Sequence, residues 1–133
     1  MTGEVRRGAI LVADDDAEVR ASVSDILRLE GYVVTEADDG AEALDLLGNA
    51  TFDALVLDQR MPRVNGMRVL ERAGRPPPAV LMSARDLDSG VRKDMAVRGI
   101  AFLRKPVDPE HLLDAVATAV GRGRPSSPVW SGP

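Results

Sequence analysis

Cysteine is absent from the 133 residues, which excludes a disulfide scaffold, a thiolate zinc site and a cysteine nucleophile together. Histidine occurs once, at His111, too few for a multi-histidine metal cage. Aromatic residues make up only 3 %, so a core built from the 44 % hydrophobic residues must be aliphatic. A basic excess is also missing. The 17 basic and 21 acidic side chains give a formal net charge of −4, against the basic face of a nucleic-acid module. No apolar run approaches the ~20 residues that cross a bilayer. Arg6-Arg7 precedes only the short stretch Ala9–Ala13, which runs into three aspartates and does not read as a signal peptide. These absences leave one soluble cytoplasmic domain as the expectation, binding neither nucleic acid nor membrane.

What is present is an alternation of short apolar runs with helical segments. The runs are Ala9–Ala13, Tyr32–Thr35, Ala54–Leu57, Ala79–Met82 and Ala101–Leu103. Three are apolar at successive positions, the pattern of strands covered on both faces in a parallel sheet. Between them, apolar residues recur three or four apart. Val19, Val23, Ile26 and Leu27 mark a first helix, with Asp16 as N-cap and Gly31 past its end. Ala41, Leu44 and Leu47 mark a second. Met67 and Leu70 mark a short third, stopped by Arg75-Pro76-Pro77-Pro78. Val91 and Met95 mark a fourth, ending near Gly99. Leu112, Leu113, Val116 and Val120 mark a fifth, opened by Asp108 and Pro109. Five strands and five helices in strict alternation imply right-handed βαβ units and a three-layer α/β fold. Residues 9–121 form the expected domain, 1–8 an N-terminal segment. The Gly/Pro/Ser-rich residues 122–133 read as a flexible tail or linker stump, with Trp130 its one large apolar group.

Ligands of open α/β sheets bind outside the carboxyl ends of the strands. The first run is followed by Asp14, Asp15 and Asp16, the third by Asp58, the fourth by Ser83 and the fifth by Arg104-Lys105-Pro106. Neighbouring strands lie ~5 Å apart, so these groups can share one edge of the sheet. Carboxylates gathered so closely repel unless a cation sits among them, and a few hard oxygen ligands with room for water suit Mg²⁺. A carboxylate beside such a metal is a possible nucleophile toward a phosphoryl group, giving an aspartyl phosphate. Lys105, Ser83 and the metal would spread the charge of the phosphoryl oxygens. The chain has fifteen arginines and two lysines, Lys93 and Lys105. A lysine at 105 therefore suggests that a compact point charge is needed there.

Four motifs in order now carry a resemblance: Ile10–Asp16, then Leu57-Asp58-Gln59-Arg60-Met61-Pro62 with Gly66, then Met82-Ser83-Ala84, then Lys105-Pro106. Over about residues 8 to 121 the chain resembles the receiver domain of two-component response regulators. That family implies a flavodoxin-like (βα)5 fold with a parallel sheet of order 2-1-3-4-5, the order for which the chemotaxis receiver CheY is a standard example. It implies that Asp58 accepts the phosphoryl group, and that Asp14, Asp15, Asp58 and the backbone carbonyl of Arg60 hold Mg²⁺. It further implies that Ser83 closes on the phosphate and that Lys105 pairs with it. Phe102 matches the switch aromatic, and the Lys105–Pro106 bond is expected to be cis. The implied partners are a sensor histidine kinase or histidine phosphotransfer protein, and a downstream protein or output domain on the face of helix four, strand five and helix five. Such a domain helps catalyse its own phosphorylation and hydrolysis but acts as a switch rather than an enzyme.

Other readings of these residues exist. Aspartates before a helix often only cap it. Ser83 is a common loop residue, and Phe102 fits a core position. A triad of Ser83, His111 and an aspartate is disfavoured, because Pro109 places His111 away from the sheet edge. An aspartate-nucleophile phosphohydrolase of the haloacid-dehalogenase kind needs a second aspartate two residues on, where this chain has Arg60. An interaction module that is never phosphorylated would not need the full acidic set and Lys105. The stretch from Gly66 to Ser83 is a few residues shorter than is usual for the family, which shortens the third helix by about one turn. Arg60 and Arg85 occupy the positions two past Asp58 and Ser83, which in this family influence how fast the aspartyl phosphate hydrolyses.

Overall fold

The computed structural model of the chain describes residues 7–123. Ten elements alternate: β1 (Ala9–Ala13), α1 (Ala17–Leu29), β2 (Val33–Ala37), α2 (Gly40–Asn49), β3 (Ala54–Asp58), α3 (Gly66–Arg72), β4 (Ala79–Ser83), α4 (Ser89–Val97), β5 (Ala101–Arg104) and α5 (Pro109–Gly123). The strands form one parallel sheet of order β2-β1-β3-β4-β5. The alternation implies the parallel sheet with helices between its strands, and the resemblance implies this flavodoxin-like order.

The continuous apolar runs are explained by what covers them. Every residue of β3 and β4 is buried, and β1 is buried from Ile10 onward. Successive side chains of a strand point to opposite faces. Ile10, Val12, Val56, Val80 and Met82 pack on one face with Val23 and Leu27 of α1 and Leu112 and Val116 of α5. Leu11, Ala13, Leu55, Leu57 and Leu81 pack on the other with Ala43 of α2, Val69 and Leu70 of α3 and Met95 of α4. Two aliphatic cores thus sandwich the sheet, each large side chain contributing about 1.5–3 kcal/mol when fully buried.

The helix boundaries follow local hydrogen bonding. Asp16 caps α1 by accepting from the N–H groups of Glu18 and Val19. Asp39, Asn65 and Asp88 cap α2, α3 and α4 in the same way. Asp108 accepts from the N–H groups of Glu110 and His111 at the start of α5.

Several boundaries differ from the sequence reading: β3, β4 and β5 each run one residue further, to Asp58, Ser83 and Arg104, and three others differ more. β2 begins at Val33 and continues through Glu36 and Ala37, which the sequence reading put beyond the strand. At the sheet edge only part of this strand is buried, so a glutamate can belong to it. α3 ends at Arg72, ahead of the prolines, because the chain turns at Gly74 with φ 78°, a backbone conformation that favours glycine. α5 continues to Gly123, past the composition change at 121, and Arg122 donates from Nη1 to the Gly99 carbonyl at 3.0 Å. Residues 1–6 and 124–133, Trp130 among them, lie outside the described residues. Among the described residues no helix is long and apolar enough to cross a membrane.

Candidate functional site

The chain runs from β1 outward to β2 and then returns past β1 to β3, so the strand order reverses between β1 and β3. Such a switch point opens a crevice at the carboxyl ends of the two strands. Ala13 pairs with Leu57, and the next residue on each strand is an aspartate, Asp14 and Asp58. Both are buried, Asp14 completely. Asp15 is exposed beside them. One carboxylate oxygen from each of Asp14, Asp15 and Asp58 lies within 4.8 Å of the others, the one group among the described residues with the spacing to hold a metal ion.

Lys105 follows β5, two strands away from β3. Strands are spaced ~4.8 Å apart, so only a long side chain crosses β4 to the carboxylates. Its Nζ lies 2.9 Å from Asp14 Oδ2 and 3.3 Å from Asp58 Oδ2. Ser83 ends β4, is buried, and its backbone carbonyl accepts from the Lys105 N–H at 2.8 Å. Its Oγ accepts from the Arg85 N–H at 3.1 Å. The Lys105–Pro106 peptide bond is cis.

The loop after β3 is fastened at several points. Gln59 donates its N–H to the Met82 carbonyl, accepts from Gly66 on its own carbonyl, and accepts from the Met67 N–H on Oε1. Arg60 turns its side chain to solvent, and its N–H approaches Asp58 Oδ1 at 3.4 Å. At Gly66 a β-carbon would stand 2.8 Å from the Asp58 carbonyl oxygen and 2.6 Å from Leu81 Cδ1, so only glycine allows this close approach.

Charge is unbalanced in the crevice. Burial, and then the neighbouring charge of Asp14, push the Asp58 carboxyl up to about 6, against the pull of Lys105 and the Arg60 N–H. Burial opposes the charge on Lys105, but the Asp14 hydrogen bond and the charges of Asp14 and Asp58 outweigh it and hold the ammonium above its ordinary range. Three carboxylates face a single ammonium. The donor set is all hard oxygen, and a cation there would relieve the repulsion that raises Asp58, so the residues fit a divalent ion.

The structure therefore gathers Asp14, Asp15, Asp58 and Lys105, with Ser83 at the end of β4 and Arg60 on the loop after β3. Phe102 stands apart from the acids. It packs against the core shared with α4, and the Arg92 guanidinium carbon lies 5.4 Å from its ring centroid. His111 is exposed on α5 and touches none of these groups. Two residues at the site escaped the sequence reading. Gln59 acts mainly through backbone contacts, which no spacing reveals. Arg20 of α1 donates from Nη1 to the Asp14 carbonyl at 2.7 Å. Its signal was a charged residue placed beside the apolar stripe of Val19 and Val23.

A doubly wound α/β sheet with a lysine-bridged aspartate cluster at its switch point defines the class of protein. Residues 10–117 match the family described as the response regulator receiver domain. Response regulator MprA of Mycobacterium sp. strain KMS is 40 % identical over 119 residues, covering 87 % of this chain and 52 % of that protein. The receiver domain of Francisella response regulator 1452 superposes with a TM-score of 0.78 at 27 % identity, covering 88 % of this chain and 99 % of that one. The signal receiver domain of the putative response regulator NarL from Mycobacterium tuberculosis gives 0.75 at 31 % identity, covering 90 % and 100 %. The chain belongs to the response regulator receiver domain family of two-component systems. It spans about half the length of the curated relatives it matches.

Proposed function

We propose that this domain takes a phosphoryl group from a phosphohistidine onto Asp58 and thereby switches conformation. The donor is a sensor histidine kinase or a histidine phosphotransfer protein. The observation that carries the reading is Lys105 Nζ bridging Asp14 and Asp58 beside Asp15. A carboxylate oxygen of Asp58 attacks phosphorus, the new P–O bond forms, and the bond to the donor imidazole breaks with its electron pair leaving on nitrogen. Asp14, Asp15, Asp58 and the backbone carbonyl of Arg60 would hold Mg²⁺, which supplies positive charge against the phosphoryl oxygens. Lys105 already stands where it can pair with one of those oxygens. Ser83 keeps its hydroxyl proton free to donate to another, since its Oγ accepts from Arg85.

The domain is a switch rather than an enzyme in the ordinary sense, although its own residues assist the transfer and the later hydrolysis. Readout falls to a downstream protein or an output domain on the face of α4, β5 and α5, with Phe102 as the relay. On this reading the domain works in the cytoplasm and binds no nucleic acid itself. Arg60 and Arg85 are exposed where their charges screen the phosphoryl group and alter its lifetime. Equal hydrolysis rates in the wild type, Arg60→Ala and Arg85→Ala would discard that screening role. The central test is intact mass after incubation with acetyl phosphate and Mg²⁺, beside Asp58→Asn. A gain of one phosphoryl group that the variant loses is the expected result; no gain in the wild type refutes the reading.

A further inference from the structure

Asp15 carries one third of the acidic cluster, yet its carboxylate has no hydrogen-bond or ion-pair partner among the described residues, and it is exposed. Its place is set by the backbone. The peptide plane joining Asp14 to Asp15 contains the Asp14 carbonyl and the Asp15 N–H, so fixing that carbonyl fixes the plane from which Asp15 hangs. Arg20 makes this bond, at 2.7 Å. On the other side of Asp14, its N–H donates to the Ala37 carbonyl at 3.2 Å.

The guanidinium of Arg20 is itself clamped. Nε donates to Glu36 Oε1 at 3.1 Å and Nη2 lies 3.4 Å from Asp38 Oδ1. Glu36 is held in turn by Arg28 Nη1 at 3.2 Å. Only 16 % of the Arg20 side chain and 30 % of Glu36 are exposed, so that pair is shielded from solvent, whereas Asp38 is open to it. Three nitrogens of one planar fork meet three oxygens, which a lysine cannot reproduce. The end of β2 thus orients Arg20, and Arg20 orients the acidic turn.

We propose that Arg20 is a positioning residue for the divalent cation, holding the Asp14–Asp15 peptide so that Asp15 faces Asp14 and Asp58. The inference rests on reading the cluster as a cation site. Its sign separates it from simple electrostatics. Removing a positive charge beside three carboxylates should tighten cation binding if charge alone mattered; losing the orienting bond should loosen it, as outer partners of metal ligands commonly do by about 10–100-fold.

The test is calorimetric titration of the full chain with Mg²⁺ at neutral pH, together with the Mg²⁺ dependence of phosphorylation by acetyl phosphate. Arg20→Met is expected to raise the dissociation constant about tenfold. It should raise the half-saturating Mg²⁺ for phosphorylation in the same proportion, and by more than it lowers the saturated rate. Arg20→Lys should recover part of the affinity, since an ammonium can reach the Asp14 carbonyl without meeting all three acceptors. Unchanged or tighter binding in Arg20→Met overturns the proposal, as does a loss confined to the saturated rate. Should that variant not fold, wild-type affinity in Arg20→Lys overturns it equally. Absence of Mg²⁺ binding in the wild type would instead defeat the cation site itself.

Discussion

Asp58 is an acid kept in an environment that favours its neutral form, and this has a measurable effect on stability. Its folded value of about 6 stands above the ordinary 3.8. In the metal-free protein the folded state therefore binds the proton more tightly than the unfolded chain does. Stability is greatest below the unfolded value, declines as pH rises through the window from 3.8 to about 6, and levels off above it. Asp58→Asn should abolish this decline and leave the metal-free domain more stable at neutral pH by on the order of 2 kcal/mol. Denaturant unfolding of both proteins across that window in a chelator checks it. Ser24 offers a second case. Its hydroxyl is fully buried on α1 with no partner among the described residues. Ser24→Ala should stabilise by about 1 kcal/mol in the same unfolding assay, since a desolvated hydroxyl is removed and little volume is lost. At this scale the sequence was legible wherever a polar residue ended an apolar run, as at Asp14, Asp58, Ser83 and Lys105. It was mute for Gln59, whose contacts are with backbone atoms, and for Arg20 it showed only a charge beside an apolar stripe, not the partners at Glu36, Asp38 and the Asp14 carbonyl.

Among the elements, the short α3 packs directly behind Asp58. Its first residue, Gly66, touches the Asp58 carbonyl, its cap is Asn65, and its second N–H is held by Gln59. Gly66→Ala would drive a methyl group into that carbonyl and into Leu81. The expected cost is about 1–3 kcal/mol, together with slower phosphorylation by acetyl phosphate as Asp58 is displaced. Thermal unfolding and intact mass report the two effects separately. β1, β3 and β4 could be read from the sequence because burial on both faces writes an unbroken apolar run. β2 could not be bounded in the same way. Glu36 belongs to the strand because Arg20 and Arg28 both bind its carboxylate, a partnership between α1 and the sheet edge that sequence spacing does not display. The end of α5 was obscured by Gly121 and Gly123, which read as helix breakers. Arg122 between them reaches the turn after α4 and holds the last turn in place.

For the whole molecule, strict alternation made a parallel sheet with helices on both faces legible, while the strand order came from the family resemblance. The cluster joins segments from opposite ends of the chain, so a bound cation should stabilise the domain as a unit. Mg²⁺ at a hundred times its dissociation constant should add about 2.7 kcal/mol. Differential scanning calorimetry should show the transition moving upward with Mg²⁺, and not moving in Asp15→Asn paired with Asp58→Asn. An unshifted wild-type transition would speak against the site.

On the proposed reading, with Phe102 as the relay, the stacking of Arg92 on its ring would give the unphosphorylated domain a bias of its own. The ring is half-buried and the guanidinium exposed, and a contact of this kind is worth about 0.5–1 kcal/mol. Rotating the ring away from the guanidinium would forfeit that energy, and on that reading would lower the ratio of signalling to silent molecules by roughly two- to fivefold before any phosphoryl group arrives. Arg92→Ala should raise this background by the same factor, read as ring-flip populations by NMR. A residue that meets neither donor nor phosphate would then set the noise floor of the pathway.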